Sequence, residues 1–128
     1  MSTHYHLLLE EREIPLWRGM RLLNGRYAVA YNERHARTGH LFRGRYRDTV
    51  IADEAHLLMA LRYVARNPVD AGLCASPADW PWSSYGRLIG TAPGWSFVST
   101  AWTLSLFAPR PADAVERLRR FVEQVPGT

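Results

Sequence analysis

An α+β fold is predicted for this 128-residue chain by three observations. Two short stretches read as strands, four longer ones repeat apolar residues every three or four positions, and turn or proline signals separate them. His4-Tyr5-His6-Leu7-Leu8-Leu9-Glu10 is too short for a stable helix and reads as a buried strand, with His4, His6 and Leu8 on one face and Tyr5, Leu7 and Leu9 on the other. Pro15 suits a first helical turn, and Leu16, Met20, Leu23, Tyr27 and Tyr31 predict the inward face of a helix over about 15–35. After the turn signal Arg37-Thr38-Gly39-His40, residues 41–51 alternate bulky and basic side chains, which predicts a second strand carrying Arg43, Arg45 and Arg47 on one face. Asp53 is a natural N-cap for a second helix with apolar positions Leu57, Leu58, Leu61 and Val64, and Pro68 is expected to end it. A turn-like stretch at 69–73, the aromatic run Trp80-Pro81-Trp82-Ser83-Ser84-Tyr85, which reads chiefly as packing, and a Pro93-Gly94 linker precede two helical patterns at 99–107 and 111–124.

With 47% hydrophobic residues and five Trp, the chain has the length of one domain and enough apolar content for a packed core. No apolar run approaches the roughly 18 residues of a membrane span. The start Met-Ser-Thr-His-Tyr-His is unlike a signal peptide, so the expected location is cytoplasmic and off the membrane. Cys74 has no partner for an internal disulfide, and zinc-finger spacing is missing. All 16 basic residues are Arg, which binds phosphate as a planar fork. A GC-rich genome accounts for the missing Lys but not for the distribution. Residues 12–66 hold 11 Arg against five acidic residues, whereas 67–128 balance five against five. A regional basic surface with pI 9.7 points to a polyanion partner.

Two His one residue apart on a strand project the same way about seven Å apart, close enough for their ring nitrogens to share one metal ion. The bland alternative is a pair of solvated imidazoles near a chain terminus. At the end of the second helix, Tyr63 and Asn67 lie four residues apart and so share one helix face. Asn67 offers a carbonyl oxygen suited to Mg²⁺ or Mn²⁺ and Tyr63 a phenol. Each also has an ordinary reading, as a core-edge aromatic and a helix terminator. His35, His40 and His56 read as surface or structural residues.

The chain resembles the HUH-type single-tyrosine transposases, including the REP-associated tyrosine transposases. Five ordered blocks carry the resemblance: His4 to Glu10, Asn24-Gly25-Arg26-Tyr27, Arg37 to Tyr46, Tyr63 to Leu73 and Trp80 to Tyr85. It implies a ferredoxin-like HUH fold over residues 1–91, with a C-terminal helical extension over 92–128 packed on it. It also implies a divalent metal, Mg²⁺ or Mn²⁺, held by His4, His6 and Asn67, with Tyr63 as the nucleophile. The implied reaction nicks and rejoins single-stranded or hairpin DNA through a 5′-phosphotyrosine link, conserving the energy of the broken bond. DNA would be carried by Arg18, Arg21 and Arg26 on the first helix and by Arg43, Arg45, Arg47 and Tyr46, with Tyr46 and Phe42 as candidate stacking platforms for unpaired bases, although a Phe in such a pattern is more often a core residue. A nucleoid-associated location follows, with monomer and homodimer both open.

Family members carry several dozen residues before the His pair, including a strand and a helix that complete the sheet. Here Met1 stands almost at the motif, so an N-terminally truncated version of that fold is the expectation. Where the family often has His, this chain has Ala65. The alternatives are a truncated, catalytically inactive nucleic-acid-binding remnant, and a structural protein without a DNA role.

Overall fold

The computed structural model describes residues 3–124. Their regular elements are all helical: α1 (Leu16–Arg34), α2 (Glu54–Asp70), a 3-10 turn (Pro77–Asp79), α3 (Tyr85–Leu88), α4 (Thr100–Ser105) and α5 (Pro111–Glu123). The chain divides into two compact units. One contains residues 3–8 and 52–124, the other residues 9–51.

In the first unit, Asp53 caps α2 as expected, its Oδ1 accepting the His56 N–H at 2.8 Å. Pro68 does not end the helix. It sits buried in the last turn, where the chain loses only one backbone donor, and Gly72 at φ +70° ends the helix in the left-handed conformation. The Gly72 and Leu73 N–H groups then donate to the carbonyls of Val69 and Pro68. Around α2 the core gathers Leu61 and Ala65 with Tyr85, Leu88, Ile89, Leu118 and Val122. α5 supplies Leu118 and Val122 and packs on α2, while α4 packs on α3 and α5. Two guanidinium groups of α2 finish α5: Arg62 donates to the Gln124 carbonyl and Arg66 to that of Val122. These carbonyls stand at the negative end of the α5 dipole, where a cation is favoured.

The expected α+β ferredoxin-like sheet is not present. Among the described residues there is no strand, and both 4–10 and 41–51 run as irregular backbone. A period of two gives a segment two faces, but a strand exists only within a hydrogen-bonded ladder, and a two-stranded ribbon is marginal without further strands. These two segments fall almost wholly in different compact units. What fixes the first segment instead is Leu8, which packs against the helical core.

The second unit pairs α1 with the segment that follows it. Ala36 at φ +48° and Gly39 at φ +89° reverse the chain, and Asn32 Nδ2 clamps the return by donating to the Gly39 carbonyl at 2.9 Å. Of the five residues expected to face inward on α1, only Met20 is buried, while Leu23 and Tyr27 are exposed. One helix and one loop offer too little apolar surface to cover a full helical face.

Candidate active site

Leu8 and α2 together position the candidate chemistry. With Leu8 held in the core, the backbone two residues earlier brings the His6 ring against Tyr63, the centroids 5.2 Å apart and the rings edge to face. The His4 ring meets His6 in the same way at 5.1 Å. His4, His6 and Tyr63 thus form one continuous series of rings. Asn67 stands one helical turn beyond Tyr63 on the same face of α2.

Protonation and hydrogen bonding make donors of these groups. Burial pushes the His6 pKa down, reinforced by the nearby His4, which favours the neutral, lone-pair-bearing imidazole. Its Nε2 is buried and has no hydrogen-bond partner among the described residues, and the same is true of Asn67 Oδ1. In the tautomer that leaves Nε2 unprotonated, His6 Nε2 and Asn67 Oδ1 are two buried acceptors without donors, which is costly in an ordinary core and suits a cation. Thr3 Oγ1 lies 3.1 Å from His4 Nδ1, and a ring that donates through Nδ1 presents its Nε2 lone pair outward. The donor set fits a divalent ion. Two imidazoles favour a first-row transition metal over Mg²⁺, so Mn²⁺ suits it the better of the two. Among the described residues no group of three or more His, Cys, Asp and Glu side chains is placed to hold a metal, so the amide of Asn67 is the third donor on offer. Tyr63 is 55% exposed, which leaves its phenol within reach of a polymeric substrate.

The DNA-binding candidates lie in the other unit. Arg18, Arg21 and Arg26 of α1 line one shallow groove with Ile14, Trp17 and Leu22. Arg43, Arg45 and Arg47 are exposed and Tyr46 half-buried on irregular backbone, so the expected single strand face is not formed. None of these six Arg makes an ion pair among the described residues. Residues 9–51 hold nine Arg against five acidic residues, and residues 3–8 with 52–124 hold seven against seven. The whole formal surplus of +4 therefore belongs to the unit that contains α1.

The sequence reading missed a second set of rings. Tyr27, Tyr31 and His35 form a row along α1, and Phe42 closes on Tyr27 at 6.3 Å. Spacing of four along one helix is the available signal, and it is equally that of a packed helix face. Trp82 is 80% exposed and does not pack as the aromatic run suggested, whereas Tyr85 is 1% exposed.

No protein-family model, no curated protein and no solved structure matches the chain. Among the described residues, no helix is long and apolar enough to cross a membrane.

Proposed function

We propose that the chain is a metal-dependent transposase-type enzyme that nicks and rejoins single-stranded, hairpin-forming DNA with Tyr63 as nucleophile. The observation that carries this reading is the ring series His4–His6–Tyr63, with the orphaned Asn67 oxygen on the Tyr63 face of α2. His4, His6 and Asn67 would hold the divalent ion, which supplies positive charge against the non-bridging oxygens of a phosphodiester. Tyr63 Oη forms a bond to phosphorus as the bond to the 3′ oxygen breaks. The phenol proton is lost and the departing 3′ oxygen gains one, so a 5′-phosphotyrosine and a free 3′-OH result. Reversal by another 3′-OH rejoins strands and releases Tyr63 without an external energy source. Ring packing against His6 restricts the orientation of Tyr63 before substrate arrives, lowering the entropy cost of attack.

Incubation of the protein with hairpin DNA and Mn²⁺ should give a covalent adduct resolved on a denaturing gel, lost in Tyr63→Phe and strongly reduced in His6→Ala. An adduct that persists in Tyr63→Phe sinks the assignment.

One observation favours a second reading, nucleic-acid binding without cleavage. The charge surplus lies in residues 9–51, a compact unit that contains none of His4, His6, Tyr63 and Asn67. On this reading salt-sensitive DNA binding survives His6→Ala, and no variant yields an adduct.

A further inference from the structure

The ring row on α1 is built by specific local features. Tyr27, Tyr31 and His35 recur every four residues and so stand one above another on a single helix face. Their centroids are 6.0 Å apart for Tyr27 and Tyr31 and 4.2 Å apart for Tyr31 and His35. The reversal at Ala36 and Gly39, clamped by Asn32, returns the chain so that Phe42 extends the row beyond Tyr27. The Arg37 guanidinium lies over the Tyr31 ring at 5.8 Å from its centroid. The planes are tilted by 35–41° along the row.

A row of this kind could simply be packing, but its exposure and its charge argue otherwise. Tyr27 keeps 55% of its surface exposed, and His35 is exposed as well. Tyr31 and Phe42 are half-buried by their neighbours, so the exposed rings at the two ends of α1's last turns, Tyr27 and His35, are the ones open to a ligand. The unit that carries the row holds the entire formal surplus of the chain, and Arg34, Arg37 and Arg43 each lie within two residues of one of the rings. Aromatic faces interleaved with guanidinium groups are complementary to a strand that carries a π-surface and a negative charge at every residue. Among polymers only an unpaired nucleic-acid strand has both.

We propose that Tyr27, Tyr31, His35 and Phe42 form a stacking platform for the unpaired bases of single-stranded DNA, with Arg37 held over the row and the neighbouring Arg side chains meeting the phosphates. The choice of DNA rests on the function proposed above; the platform itself does not depend on Tyr63. Stacking carries the affinity and reads little sequence, because every base has a π-face.

The test separates bases from phosphates. Full-length protein is titrated with a fluorescent dT oligonucleotide of about 20 residues, long enough for one binding site, and with an abasic strand of the same length and charge. Tyr27→Ala should weaken dT binding about tenfold and leave abasic binding unchanged, while Tyr27→Phe, which keeps the ring, should bind dT like the unaltered protein. Equal losses on both strands, or no loss on dT, overturn the platform. Tyr27→Phe binding as weakly as Tyr27→Ala overturns it too, since a ring would then be insufficient. Adduct formation by Tyr63 is scored separately in the same samples. Base-dependent binding without an adduct removes the enzymatic reading and keeps the platform, and an adduct without base dependence does the reverse.

Discussion

Tyr85 ties α3 to the end of α5: its hydroxyl donates to Glu123 Oε1 at 2.8 Å from a position 1% exposed. Burial first, then the hydrogen bond and the negative charge of Glu123, push its pKa well above the ordinary tyrosine value. In the unfolded chain this phenol ionises near pH 10, about the reference value, and in the folded chain only above that. The unfolded state therefore sheds its proton first as pH rises. The stability contributed by Tyr85 is complete below the unfolded pKa and is lost progressively above it. Thermal midpoints should fall as pH rises above about 10. Tyr85→Phe should be less stable at neutral pH by about 1 kcal/mol for the lost hydrogen bond, with a shallower alkaline decline, and an unchanged decline would count against the assignment. The candidate residues were legible at this scale because a ring or a lone pair is carried by residue identity. His4, His6 and Tyr63 could be named from spacing and resemblance, and their rings do meet. The exposure of Tyr27 could not be named, because periodicity gives a side chain a face but not a partner to cover that face.

At the scale of elements, the longer helices were legible and the expected sheet was mistaken, for one physical reason. A helix satisfies its backbone within itself, so α1, α2 and α5 follow from local signals such as Asp53 and the spacing of Leu57, Leu58 and Leu61. A strand needs a partner, and residues 4–10 and 41–51 form no ladder despite an alternating pattern. Pro68 misled in the other direction: its missing donor costs little within the last helical turn, where Gly72 sets the true end. The same contrast predicts where the fold is vulnerable. Leu118 of α5 is fully buried against α2, so Leu118→Ala should cost about 2–5 kcal/mol in urea unfolding. Leu22 of α1, 56% exposed, should tolerate alanine within about 0.5 kcal/mol. Equal costs for the two would mean that α5 is not the element that completes the core. Because Arg62 and Arg66 lie on either side of Tyr63 in α2 and grip the end of α5, loss of α5 docking should also loosen Tyr63.

Over the whole molecule, formal charge is divided unevenly between the two units. The unit with α1 holds the formal surplus of +4 and the unit with α2 is balanced, although the charge counts alone do not reveal that the division follows compact units. Binding of a single strand releases counterions, and the logarithm of the association constant falls with the logarithm of salt by about 0.7 per neutralised phosphate. If Arg43, Arg45 and Arg47 each meet one phosphate, replacing all three by Ala should reduce that slope by about 2. Arg119, exposed on α5 in the balanced unit, serves as the comparison: Arg119→Ala should leave the slope unchanged. Fluorescence titrations with the dT strand from low to moderate salt give both slopes, and a reduction of about 0.7 in Arg119→Ala would place the phosphate track on both units and defeat the division. At saturating DNA the triple variant should still form the Tyr63 adduct. The lost guanidinium groups change how much strand is bound, whereas the ring series that orients Tyr63 is built entirely from residues 3–8 and α2.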